Sequence, residues 1–195
     1  AVDGDLLSLL QVRQAVAYAI DREAYNAAIH DGKGDSLGGL YPGAFGQWHV
    51  AELDNSFEYD PEKSKELLAE AGFPDGIDID IYTSDVEVHM VELVEVYQQQ
   101  VKDAGIRVTI KMADASGFWD DVWMKESAFV DSWGQRPAAQ VLNEVYRSTA
   151  AWNPSGQVDL ALDKMLDEAR STLDLAQRKQ KYIAIQEHLF ENSGI

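Results

Sequence analysis

The sequence predicts an α/β protein, a mostly parallel sheet flanked by helices. Three observations carry this prediction. Ile77, Ile79 and Ile81 alternate with Asp78, Asp80 and Tyr82, and Ile106, Val108 and Ile110 repeat the alternation, so two strands with one polar face each are expected. Between them Met90, Val94, Tyr97, Val101 and Ala104 recur at helical spacing, closed by Gly105. Strand, helix and strand within about 35 residues make a βαβ unit. Further helical stripes with start and stop signals lie on both sides, which predicts helical layers over one sheet.

Size and charge bound the function. The chain has 195 residues, 46% of them hydrophobic, enough for one large domain or two small ones and for a core without staples. There is no cysteine, which excludes disulfides, thiolate metal sites and a cysteine nucleophile together. Sixteen Lys and Arg against 34 Asp and Glu give a net charge of −18. Such a surface repels phosphate backbones and anionic membranes, so neither nucleic acid nor a membrane face is an expected partner. No apolar run approaches the roughly 18 residues needed to span a bilayer. No basic-then-apolar leader opens the chain, and Ala1 is not an initiator Met, so a processed or excised segment is expected.

The elements follow in order. Leu9, Val12, Val16 and Ala19 mark a buried helical stripe, and Asp21 caps a second helix from Arg22 to Ile29. Residues 31–48 are rich in glycine and carry Tyr41, Phe45 and Trp48, which reads as an irregular loop. Asp60-Pro61-Glu62 is a strong helix start, and the helix runs to Ala71 with Gly72 as its stop. After the two alternating strands, Asp114 caps a short helix through Trp123. Ala128 to Trp133 reads as a third strand. Helices then span Pro137 to Ser148, Val158 to Ser171 and Asp174 to Glu191, the last opened by a capping-box-like pair, Asp174 and Gln177.

Catalytic patterns are absent. His30, His49, His89 and His188 are scattered and make no metal-ligand spacing. Gly32-Lys33-Gly34-Asp35-Ser36 lacks the spacing of a phosphate loop, and the glycines from Gly38 to Gly46 do not join a strand to a helix. There is no nucleophile elbow. Asp120 and Asp121 are helix neighbours that point about 100° apart, so they do not converge on a substrate. No cofactor is expected.

The ligand site of a parallel α/β sheet lies beyond the carboxyl ends of its strands. Here those ends are Thr83-Ser84-Asp85, Ala113-Asp114 and Trp133-Gly134-Gln135-Arg136. Trp133, Gly134, Gln135 and Arg136, with Trp119, Trp152 and Asn153, are the candidate ligand-binding residues. Indole walls and a guanidinium suit a ligand with an apolar body and an anionic group. The alternative places both tryptophans in the core and pairs Arg136 with Asp131 or Glu144.

Four segments carry a resemblance. Val12 to Ala24, VRQAVAYAIDREA, comes first. Tyr59 to Gly76, YDPEKSKELLAEAGFPDG, comes next, then Gln98 to Ile110, QQQVKDAGIRVTI, then Leu162 to Gly194. Together, and in this order, they resemble the family 5 extracellular solute-binding proteins, the oligopeptide-, dipeptide- and nickel-binding components of ABC importers. The resemblance implies one lobe of a periplasmic-binding-protein type II fold, with residues 1–195 as a single distal lobe and the first lobe and final crossover strand outside it. It implies binding of a peptide or other small polar, anionic solute between two lobes and no catalysis. It also implies permease subunits as partners, a monomeric receptor and a periplasmic or extracytoplasmic location, with a lipid anchor in the full-length protein. Many peptide-binding members carry an acid three residues after the tryptophan, where it pairs with a peptide's α-amino group; this sequence has Arg136 there. The reversed charge favours a carboxylate, phosphate or sugar-acid ligand. Two other classes are weighed beside this one: a small α/β hydrolase using carboxylates, and a sensory domain that reuses the receptor fold.

Overall fold

The structure, a computed structural model, describes residues 5–34, 46–54, 56–134 and 136–193. Gln135, Asp35-Ser36, most of the glycine-rich loop with Tyr41 and Phe45, and Gly194 lie outside the described residues. The main elements are α1 (Leu10–Tyr18), α2 (Arg22–His30), α3 (Pro61–Glu70), β1 (Ile77–Thr83), α4 (Met90–Gln100), β2 (Ile106–Met112), α5 (Ala138–Val141), α6 (Leu160–Ser171) and α7 (Leu175–Ser193).

Strands β1 and β2 pair in parallel, with Ile77 opposite Ile106 and Thr83 opposite Met112. Their inward residues Ile77, Ile79 and Ile106 are buried against Leu67 and Leu68 of α3, Tyr97 of α4, and Val101 and Ala104 just beyond it. Val12, Ala15 and Ala19 complete this core, while Leu9 of the expected stripe is 40% exposed. Fully burying one such aliphatic side chain contributes about 1.5–3 kcal/mol. Asp60 caps α3 by accepting the Lys63 N–H, with Pro61 in the first turn. A buried Ser64 hydroxyl ties α3 to the Ala15 carbonyl of α1 at 2.8 Å. Gly76 takes a left-handed φ of 82° where its Cα faces the Gly105 carbonyl oxygen, an approach that leaves no room for a side chain.

The second core joins α5, α6 and α7 through Ala138, Leu142, Leu162, Leu166, Tyr182, Ile185 and Leu189. Asp159 caps α6 through the Leu162 N–H, and Asp174 accepts the Gln177 N–H at the start of α7. Met90, Phe118 and Val122 form a third, small core under the carboxyl ends of β1 and β2.

Three elements differ from expectation, each for a local reason. The third strand is a single parallel bridge, Tyr82 to Phe129, made by Tyr82 N–H to the Ala128 carbonyl and Val130 N–H to the Tyr82 carbonyl. Beyond it the Asp131 carboxylate takes the Ser132 N–H, and the segment leaves the ladder. Asp114 does not cap a helix through Trp123. Its carboxylate binds the N–H and hydroxyl of Ser116, and a single π-helical turn, Phe118–Val122, starts after Gly117. The helix expected over Pro137 to Ser148 is α5 followed by a second π-helical turn, Leu142–Tyr146. There the Asn143 side chain donates to the Ala139 carbonyl, the acceptor that an α-helical Asn143 N–H would use.

Candidate functional site

An open cleft of about 760 Å³ lies between the sheet core and the α5 region. Its floor is apolar, built from Ile79 and Ile81 of β1, Leu93, Val94 and Tyr97 of α4, and Val141, Val145 and Tyr146 opposite. Tyr25 donates its hydroxyl to the Leu93 carbonyl at 2.6 Å, and burial pushes the Tyr25 and Tyr97 hydroxyls above their ordinary range. Burial likewise raises Tyr146, to about 12. These phenols stay neutral at physiological pH.

The mouth of the cleft carries three of the expected residues, while Trp119, Trp152 and Asn153 lie outside its lining. Trp133, Gly134 and Arg136 line it. The Arg136 guanidinium lies 5.0 Å from the Trp133 ring centroid and 6.0 Å from that of Trp152, cation–π distances for both. The two indoles are 6.0 Å apart, and both are over one third exposed. The aromatic run continues from Trp133 to Trp123 at 6.5 Å and from Trp123 to Trp119 at 6.0 Å. Trp119 rests edge-on against buried Phe118, so the π-helical turn carries the far end of the wall. Trp123, absent from the expected set, is its middle member. Its signal in the sequence was spacing, one helical turn from Trp119.

Charge at the mouth is partly spent. Arg136 Nε sits 3.4 Å from a Glu144 carboxylate oxygen, and Nη1 donates to the Gly134 carbonyl at 3.2 Å. Asp131, the other partner weighed for Arg136, instead accepts from the indole N–H of Trp123 at 2.9 Å and of Trp133 at 2.7 Å. Asn153 is buried and turned to its own loop. It donates to the Gln157 carbonyl and accepts from Ser155, so its side chain holds the turn after Trp152 and is not aimed at the cleft. A Cβ added at Gly134 would meet nothing within 4 Å.

The histidines lie in local contacts. His49 pairs with Asp54 at 3.1 Å, His188 with Asp159 at 2.7 Å, and His30 stacks edge-on against His89. Among the described residues no three His, Cys, Asp or Glu side chains form a group able to hold a metal, and no helix is long and apolar enough to cross a membrane.

The profile of the bacterial extracellular solute-binding proteins, family 5 Middle, matches residues 4–153. The chain belongs to this family. The glutathione-binding protein GsiB of Escherichia coli K12 is 27% identical over 94% of this chain and 38% of its own length. Heme-binding protein A of Haemophilus influenzae is 39% identical over 77 residues, 40% of this chain and 14% of that protein. Among solved structures, the periplasmic binding protein AgaA from A. tumefaciens R10, in complex with agropinic acid, superposes with a TM-score of 0.84 at 27% identity over 97% of this family 5 chain and 40% of its own. DppA from Helicobacter pylori, in complex with the peptide STSA, superposes with a TM-score of 0.86 at 22% identity, 98% of this chain and 38% of that one. The shared fold is that of one lobe of a type II periplasmic binding protein. The family 5 chain thus spans about two fifths of the length of GsiB, AgaA and DppA.

Proposed function

We propose that this chain is a ligand-binding lobe of the substrate-binding component of an ABC importer. It holds a small polar, anionic solute or an acidic peptide between two lobes and catalyses nothing. The observation that carries the reading is Arg136 at the cleft mouth, within cation–π distance of Trp133 and Trp152. The names of the relatives support it: heme-binding protein A, glutathione-binding protein GsiB, and AgaA with agropinic acid. Residues 1–195 act as one lobe. A second lobe, permease subunits, a periplasmic or extracytoplasmic location with a lipid anchor, and a monomeric state belong to the same proposal.

Trp133, Trp152 and Trp119 supply the apolar face, Gly134 and Gln135 belong to the same contact set, Asn153 holds the turn that follows Trp152, and Arg136 meets the anion. A guanidinium grips a carboxylate with two parallel hydrogen bonds, which lysine does not reproduce. The Glu144 contact is long enough for an incoming carboxylate to compete for the same guanidinium.

Native mass spectrometry of the full-length protein identifies the co-purified solute, which is expected to be anionic. Arg136→Ala is then expected to cost about 2–5 kcal/mol of binding, the range for removing one side of a buried charge pair. That is roughly thirtyfold to a few thousandfold in affinity. Arg136→Lys recovers part of it. Affinity within twofold of wild type for Arg136→Ala, or a cationic solute, overturns the role of Arg136. The isolated 195-residue chain is expected to bind weakly, because closure between lobes supplies the remaining contacts; a sub-micromolar affinity for it alone would sink the two-lobe reading.

A further inference from the structure

The aromatic wall is held from behind by one carboxylate. Asp131 Oδ2 accepts both the Trp123 and the Trp133 indole N–H, at 2.9 and 2.7 Å, and Oδ1 accepts the Ser132 N–H at 2.8 Å. An indole has a single donor and no acceptor, so its ring plane is fixed by whatever that N–H finds. A carboxylate oxygen has lone pairs for two such donors, and charge-assisted bonds of this length are the stronger kind. Asp131 is not the counter-ion of Arg136, since Glu144 has that place.

We propose that Asp131 is the positioning residue of the ligand site: its one shared oxygen sets the plane of Trp133 against Arg136 and ties Trp123 into the same wall. The proposal rests on the ligand-site reading above for its purpose, but its geometry stands without a ligand. Three donors converge on the two oxygens, so acceptor-only chemistry is required. An asparagine presents one oxygen and one NH2. With its oxygen toward the indoles, its NH2 faces the Ser132 N–H; flipped, it faces both indoles. Asparagine therefore restores at best the indole arm. The same carboxylate explains why the chain leaves the sheet after Phe129: the Ser132 N–H that would extend a ladder is taken by Asp131.

The test is a ¹H–¹⁵N spectrum of protein labelled at the tryptophan indole and arginine side-chain nitrogens, recorded without ligand. In Asp131→Ala the indole cross-peaks of Trp123 and Trp133 are both expected to move by more than their linewidths, with that of Trp48, packed on Tyr182, nearly fixed. Asp131→Asn moves them less. Trp123→Phe is expected to move the Trp133 peak although Asp131 is intact, because the two share one oxygen. The Arg136 Nε–H peak, shifted by the neighbouring ring, moves the same way in Asp131→Ala and Trp133→Leu and no further in the double variant, as expected for a residue acting through another. Movement of only one indole peak in Asp131→Ala, a fixed Trp133 peak in Trp123→Phe, or additive shifts of Arg136 overturns the proposal. Should Asp131→Ala fail to fold, Asp131→Asn and Trp123→Phe decide it. Because no ligand is present, failure of the anionic-solute reading leaves these outcomes unchanged.

Discussion

Residues 61–112 and residues 114–153 meet at the carboxyl ends of the same two strands and are built by different means. In the first region local signals close most of the backbone account: Asp60 caps α3, Gly72 and Gly105 end helical stretches in left-handed geometry, and β1 and β2 pair along their full lengths. Its regularly spaced apolar residues Leu68, Ile77, Val101, Ala104 and Ile106 lie almost wholly buried in one core. The second region has one bridge in place of a strand, two π-helical turns, and indoles left over one third exposed. Here side chains hold side chains, Asp131 to two tryptophans and Arg136 to two rings, and the Asn143 side chain holds the Ala139 backbone carbonyl. The difference teaches that the regular layer is a platform and the irregular one a surface made to touch something else; π-helical turns concentrate at such places.

The contrast can be broken by substitution. The largest effect is expected in the platform. Ile106→Ala removes a fully buried side chain and should cost about 2–5 kcal/mol of unfolding free energy in denaturant titration. Trp133→Ala, at a far larger change in volume, should cost less than Ile106→Ala because over a third of the ring is already exposed, while weakening ligand binding. Equal losses for the two would erase the distinction.

Two glycines give a sharper version. Gly76→Ala puts a Cβ onto the Gly105 carbonyl oxygen at a φ of 82° and should destabilise by roughly 2 kcal/mol or more. Gly134→Ala meets open space and should stay within about 0.5 kcal/mol by the same measurement. A large loss at Gly134 would mean the cleft mouth is packed like the platform.

Asp159 tests the helical side. Burial alone would raise its carboxyl, but the Leu162 and Ala161 N–H groups and the His188 hydrogen bond and charge outweigh it and hold the group below its ordinary value. A carboxyl depressed in the folded state contributes stability that is present above its unfolded pKa, about 3.9, and is lost as pH falls through the lower folded value. The unfolding midpoint of the wild type should therefore drop more steeply below pH 4 than that of Asp159→Asn, which caps a helix as well as Asp does and loses the charge toward His188. Parallel acid limbs would remove Asp159 from this account.

The smallest effect is ionic. A net charge of −18 repels itself, and the Debye length shrinks from about 10 Å at 0.1 M salt to about 3 Å at 1 M. Potassium chloride should raise the melting midpoint by roughly 2–4 °C for each kcal/mol of repulsion relieved. A flat midpoint would mean that local pairs such as Arg107–Asp78 and Lys111–Asp80 already balance the field.

The sequence alone determined the α/β layer. Alternating isoleucines, a helical stripe from Met90 to Ala104, and caps at Asp21, Asp60 and Asp174 are short-range signals, written within one turn or one strand, and the matching elements formed where those signals stand. It also grouped Trp133, Arg136 and Trp152, which the structure brings together, although the strand expected to end at Trp133 is a single bridge. What it could not carry was anything set by competition between distant groups. Nothing local says that Asp131 prefers two indole donors to Arg136, that Asn143 takes the Ala139 carbonyl and opens the helix into a π turn, or that Asn153 spends its amide on its own loop. Those outcomes depend on which donor reaches which acceptor once α5, α6 and the 118–122 turn are packed, and hydrogen-bond partners chosen that way are decided only by the tertiary structure.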